Sequence, residues 1–325
     1  MQFAKSARWI TLILLVLSLT TPIVGVNAAE YPNKPVKMIV PWAPGGITDT
    51  AIRSVVTAMG KYFPSPIVVE NRPGGAGTVG TTLALMAKPD GYTVLATAWG
   101  PLVTQPSLKK LQYNAESYTP VCQVAAAPRI ICAHPDRPYN NLKEMMEYAK
   151  KNPGEIKVGI AGVGTTGHLA MAALEQQYDV KFTMVPLGGG GPQKTNLIGG
   201  HVDVAPPNSP TAGPAIQAKQ IKALGVASEV RFADLPDIPT CAEQGYPLES
   251  GVSIVVLAPK GTPAAIVEKL AEAFKKSTED EELQKLAKKI NLNLEYLGSE
   301  ATGKKLKKFH DFYAGIIEKL GLAKE

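Results

Sequence analysis

Cysteine, tryptophan and histidine are scarce in this chain of 325 residues, with three, three and four copies. The cysteines, Cys122, Cys132 and Cys241, match no zinc or Cys-x-x-Cys redox spacing, and an odd number leaves at least one thiol unpaired. Their spacing leaves open whether any two form a disulfide. Cys132 lies in the apolar run 129–133 and reads as a small buried side chain. His134, His168, His201 and His310 have no metal-ligand spacing, and no serine sits in a Gly-x-Ser-x-Gly elbow. No catalytic residue, metal or cofactor is therefore expected. Charge is also modest. The net value of +6 falls to +4 once Lys5 and Arg8 of the leader are set aside, too little to argue for a nucleic-acid partner.

Long apolar runs are missing too. The longest, Ile10 to Leu19, is ten residues, about half of what a membrane span needs. Lys5 and Arg8 precede it and Val26-Asn27-Ala28 follow it, so residues 1–28 read as a signal peptide. The expectation is an exported protein, soluble in the periplasm after cleavage.

What the chain does have is a core-forming composition, with 45% hydrophobic residues, and an excess of turn formers, Gly 30 and Pro 27. Short β-branched runs alternate with helical spacing. Val36 to Val40, Ile67 to Val69, Tyr92 to Ala96, Ile156 to Ala161, Phe182 to Val185, Ile221 to Val226 and Ile254 to Ala258 predict strands. Helices are predicted over Thr50 to Tyr62, Leu142 to Lys150, His168 to Gln177 and Pro263 to Ser277, the last capped by Thr262. The alternation predicts an α/β protein with mainly parallel sheets. Beyond Asp280 the chain reads as largely helical, with a strand at Leu292 to Tyr296. Lys304, Lys305, Lys307 and Lys308 read there as a solvated face.

Four Gly-rich turns each follow a predicted strand and open a predicted helix: 41–49, 71–77, 161–168 and 186–192. A helix start presents unpaired N–H groups at the positive end of its dipole, and glycine lets an anion reach them. Ligands of open α/β sheets bind where such turns collect, beyond the strand carboxyl ends. Two turns imitate nucleotide motifs. Gly162 to Gly167 is a literal G-x-G-x-x-G, but the next strand ends in Pro186-Leu187 instead of the acid that would hold a ribose. Gly188 to Thr195 departs from a P-loop at Gln193. A nicotinamide-dependent oxidoreductase is thus only a remote alternative.

Several of these residues carry a family pattern. Tyr31-Pro32-Asn33-Lys34-Pro35, the loop Pro41 to Asp49, Glu70 to Gly77, Pro89 to Tyr92, Gly162-Val163-Gly164 with His168-Leu169, and Gly199 to Asp203 fall in order along the chain. Together they resemble the periplasmic solute-binding family of tripartite tricarboxylate transporters, also called the Bug family. The resemblance implies a two-domain type II periplasmic binding-protein fold with a cleft between the domains. Domain 1 would be 29–132 plus 253–325, and domain 2 would be 133–252. It also implies a monomer that takes a small organic carboxylate to membrane transporter subunits. A sensor feeding a membrane receptor is the alternative use of the same cleft.

Carried over by position, the ligand-binding residues are Trp42, Gly45, Gly46, Thr48 and Asp49 from the first turn and Gly164, Thr165, Thr166 and His168 from the second. Trp99, Asn208 and Ser209 are further candidates. Asp49 reads either as a capping residue paired with Arg53 or as a partner for a ligand ammonium group. The chain departs from the family pattern at Trp99 to Leu102 and at Pro186 to Gly189, where small polar, aromatic and cationic residues are lost. With Trp42 and Trp99 both at expected cleft turns, a carboxylate on a partly apolar or aromatic body is the expected guest.

Overall fold

The computed structural model describes residues 31–323, apart from 43, 46, 189 and 291. The expected signal peptide and Gly46 lie outside the described residues. The chain divides into a short unit, Met1–Tyr31, and a large one, Pro32–Glu325, to which every element below belongs.

Strand β1 (Val36–Val40) is buried at all positions but one, as suits a parallel strand covered on both faces. It leads into helix α1 (Ile47–Met59), whose Ile52, Val55 and Met59 form one apolar stripe. With β2 (Ile67–Asn71), α2 (Thr78–Leu85) and β3 (Thr93–Ala98), this builds a parallel β2–β1–β3 unit. Short helices α3 (Gly100–Val103) and α4 (Gln105–Leu108) then lead to β4 (Tyr118–Ala133), a strand of 16 residues. The next stretch alternates α5 (Leu142–Lys151), β5 (Lys157–Ile160), α6 (Thr166–Tyr178), β6 (Thr183–Pro186), α7 (Gly190–Ile198), β7 (Val204–Ala205), α8 (Ser209–Gln217) and β8 (Lys222–Ala227). Strand β9 (Gly251–Pro259) returns the chain to the first sheet, followed by α9 (Ala264–Thr278), α10 (Glu281–Lys289), β10 (Leu294–Gly298) and α11 (Ser299–Lys319).

Strand β4 serves two sheets. Its first part pairs antiparallel with β9 and β10, and residues 129–133 pair antiparallel with β8 and β7. Beyond β7 lie β5 and β6, in parallel. The expectation of mainly parallel sheets therefore needs correction: parallel pairs form the outer parts, and the centre is antiparallel because β4 and β9 run between them. This topology sets the carboxyl end of β7 beside the start of the second part of β4.

Local chemistry accounts for the helix boundaries. Asn141 Oδ1 accepts from Glu144 N at 2.8 Å, and the Glu144 carboxylate accepts from Asn141 Nδ2 and Asn140 N, a reciprocal cap on α5. Thr262 does not cap α9, contrary to expectation. Its hydroxyl donates to Pro259 O at 2.8 Å, so Pro263 holds the cap position through its fixed φ. Of the four lysines read as a solvated face, Lys304 and Lys307 do pair along α11, with Glu300 and Asp311. Lys305 instead reaches Glu295, and Lys308 bridges Glu229 and Glu249. All three cysteines are buried and free.

One core joins Ile39, Leu95, Trp99, Leu102, Phe309 and Tyr313 with Leu169 and Ala172 of α6. A second core lies under α5 and α6, around Ile131, Met145, Val158, Met171 and Leu174. Helix α6 thus packs on both, and its first turn lies between them.

Candidate ligand-binding site

The first turn, at the end of β1, is built on Asp49. The residue is 3% exposed. Oδ2 accepts the Gly45 N–H at 2.8 Å, and Oδ1 accepts Arg53 Nε at 2.9 Å and Asn71 Nδ2 at 2.8 Å. Burial alone would raise this carboxyl, but the Gly45 and Asn71 N–H groups and the Arg53 guanidinium outweigh it and hold it below the usual range. Asp49 is the third residue of α1 and reaches back to tie the loop, so its charge is already matched from inside. This supports the reading of Asp49 as a residue that holds the turn. Asn71 also donates to Trp42 O, and Trp42 Nε1 donates to Thr97 Oγ1 at 3.2 Å. Asn71 thus locks the first turn to the end of β2, and Trp42 joins it to the end of β3.

The start of α6 is open in a different way. Thr165 caps it, its hydroxyl accepting from His168 N at 3.4 Å, and Gly164 N donates to His168 Nδ1 at 3.1 Å. Among the described residues nothing accepts from the N–H groups of Thr166 and Gly167, and both residues are buried. Buried, unpaired amides are rare unless a ligand or water completes them. Gly164 has φ +74, a conformation that favours glycine; a Cβ there would also lie 2.7 Å from Leu108 Cδ1, the end of a side chain that can shift.

A residue outside the expected set links this turn to α8. Arg129, at the start of the second part of β4, is 6% exposed. Its Nη2 donates to Thr166 Oγ1 at 2.8 Å and its Nη1 to Pro206 O at 2.7 Å. The guanidinium lies against Gly167, where a Cβ would come within 2.9 Å of Cζ and Nη1. Arg129 Nε, Asn208 Oδ1 and Ser209 Oγ are all buried without a hydrogen-bond partner. Burial pulls the guanidinium down to about 10, so it stays charged at neutral pH.

The structure therefore brings Thr165, Thr166 and His168 together with Asn208 and Ser209, through Arg129. Gly45 and Ile47 of the first turn share a cavity of about 210 Å³ with Pro210 and Thr211 of α8. Thr48 is buried in the first turn of α1. Trp99 is tied to this group through Gly251 O, which also accepts from Thr166 Oγ1 at 3.5 Å. It is 3% exposed, donates from Nε1 to Gly251 O at 3.1 Å and packs on Phe309 at 4.1 Å between centroids. Its apolar neighbours in α11 draw the ring into the core, beside a separate cavity of about 260 Å³. The signal that could have revealed Arg129 is an arginine opening the run Ile130-Ile131-Cys132-Ala133. A cation in such a run is exposed at an edge or buried for a reason.

Burial lowers the pKa of His168 below its ordinary value of 6.5, so the ring is neutral near pH 7. Nδ1 accepts from Gly164, which places the proton on Nε2. Because the folded value is depressed, the stabilisation is complete above pH ~6.5 and is lost as pH falls through the folded value. Protonating Nδ1 breaks the Gly164 bond. Thermal melts should show wild type losing more stability than His168→Gln between about pH 7 and about pH 5, with no such divergence above pH 7. Parallel curves throughout would contradict this role.

Helix starts that open at strand ends, on sheets that share one long strand, are the geometry of a solute-binding site. Residues 51–322 match the family model described as tripartite tricarboxylate transporter family receptor. The chain belongs to this family of periplasmic solute-binding proteins and has its two-domain α/β fold. It is 32% identical over 246 residues to protein BugT of Bordetella pertussis, covering 74% of this chain and 76% of BugT. A TctC solute-binding protein from Polaromonas superposes with a TM-score of 0.82 at 32% identity, covering 89% of this chain and 99% of that one. MatC from Rhodopseudomonas palustris, solved with bound malate, has a TM-score of 0.73 at 28% identity over 88% of this chain and all of its own. An R. palustris protein solved with adipate has a TM-score of 0.76 at 25% identity, over 90% and 99%. No helix among the described residues is long and apolar enough to cross a membrane.

Proposed function

We propose that this protein captures a small organic carboxylate in the periplasm and delivers it to a tripartite tricarboxylate-type membrane transporter. The observation that carries this reading is the unpaired amides of two buried residues, Thr166 and Gly167, at the start of α6. Each hydrogen bond to a charged group contributes about 1.5–3 kcal/mol, and a helix start adds about 0.3–1 kcal/mol toward an anion. After the losses of association and closure, a few such contacts support micromolar binding, about −8 kcal/mol. The malate and adipate bound to the R. palustris relatives support the same guest chemistry. In this reading 29–132 plus 253–325 form one domain, 133–252 the other, and a monomer closes about the strands that join them.

The test is a thermal-shift screen of malate, adipate, succinate and citrate against their neutral amides. At about 100 times Kd, binding adds about 2.7 kcal/mol, which raises the melting temperature by about 5 °C. Shifts with the acids alone are expected. Equal shifts with the amides, or none with any organic acid, would contradict the proposal.

A further inference from the structure

We propose that Arg129 sets the charge specificity of this site: its buried guanidinium lacks a counter-ion in the protein, and the guest carboxylate supplies one. This rests on the carboxylate-capture reading and names the residue that makes the pocket demand negative charge.

Both hydrogen-bond partners of Arg129, Pro206 O and Thr166 Oγ1, are neutral, and its Nε has none. No carboxylate among the described residues forms an ion pair with it. Glu249, next to its backbone partner Ser250, is engaged by Lys308. The first turn of α6 lies against the guanidinium, and α8 begins three residues after Pro206, so two positive helix ends share its surroundings. Three positive contributions thus meet in one buried place, where the hydrogen-bond acceptors of the guanidinium are neutral oxygens. Such an arrangement strains the unliganded protein, and an arriving anion relieves it. Arg129 acts as a positioning residue, holding Thr166 and Pro206 from beneath, while its charge reaches the guest across the first turn of α6. The pull grows with guest charge, so dicarboxylates should be preferred over monocarboxylates of similar length.

Isothermal titration of wild type, Arg129→Met and Arg129→Lys with malate, adipate and hexanoate tests this. The expected result is a loss of about thirtyfold or more in dicarboxylate affinity for Arg129→Met, with Arg129→Lys within about fivefold of wild type. Hexanoate should bind wild type more weakly than adipate does, and the gap should narrow in Arg129→Met. Equal dicarboxylate affinity for Arg129→Met and wild type overturns the proposal. So does a loss in Arg129→Lys as large as in Arg129→Met, since geometry would then be the cause. Unliganded melts provide a separate readout. Arg129→Met should melt within about 5 °C of wild type, because losing two hydrogen bonds to neutral oxygens is offset by removing an unmatched buried charge. A fall of more than about 5 °C makes Arg129 a structural brace and overturns the proposal. If wild type takes up none of the acids, the proposed function fails, and sulfate at fixed ionic strength decides this inference. A larger melting shift in wild type than in Arg129→Met supports it, and equal shifts overturn it.

Discussion

Replacing Asp49 with alanine is expected to lower the unfolding free energy by about 3 kcal/mol and to abolish carboxylate binding. The carboxylate is buried and takes three hydrogen bonds, two of them from uncharged amides and one from Arg53. Removing it leaves the Gly45 N–H without its acceptor and Asn71 Nδ2 with Trp42 O alone, and frees the loop at the end of β1. Binding then fails because the turn is misplaced, not because a ligand contact is gone. Asp49→Asn, which keeps the shape and one acceptor oxygen, should fall between the two. Urea unfolding and calorimetric titration measure the two effects separately. Loss of binding at unchanged stability would contradict this role and return Asp49 to the ligand.

The second large effect is expected at Gly167. Its φ is not positive, so alanine is acceptable to the backbone. The obstacle is space: the new methyl would lie 2.9 Å from Cζ and Nη1 of Arg129. A guanidinium held between Thr166 and Pro206 yields only by giving up those bonds, and overpacking of this kind costs about 1–3 kcal/mol. Because the Gly167 amide is itself an expected ligand donor, affinity should fall by about a hundredfold, equivalent to about 2.7 kcal/mol. Gly191→Ala at the start of α7, where a Cβ meets nothing within 4 Å, is the matched control and should bind as wild type does. Equal affinities for both variants would remove Gly167 and its neighbours from the site.

Much of this was legible in the residues. Glycine and proline punctuate the chain at strand ends, and the four turns singled out do each connect a strand to a helix. Asn208 and Ser209, read as candidates from their place after a short strand, do stand at the start of α8. Strand β4 was not legible, because Pro120, Pro128 and the Ala125-Ala126-Ala127 run argue against a strand. It forms through pairing with β9 and β8, with register shifts between Pro120 and Cys122 and between Gln123 and Ala125. Arg129 was missed for the same reason. Only once β4 lies antiparallel to β7 does its side chain arrive between the α6 and α8 starts. The packing of Trp99 was not legible either, because its ring neighbour Phe309 lies far away in sequence.

The central claim is that main-chain amides at the start of α6 hold the guest anion. A crystal structure of the protein with the acid that gives the largest thermal shift tests it most directly. The account predicts carboxylate oxygens about 3 Å from the Thr166 and Gly167 nitrogens, with Ser209 Oγ within reach. A guest bound elsewhere, or those two amides paired to protein oxygens while the guest is present, would contradict it.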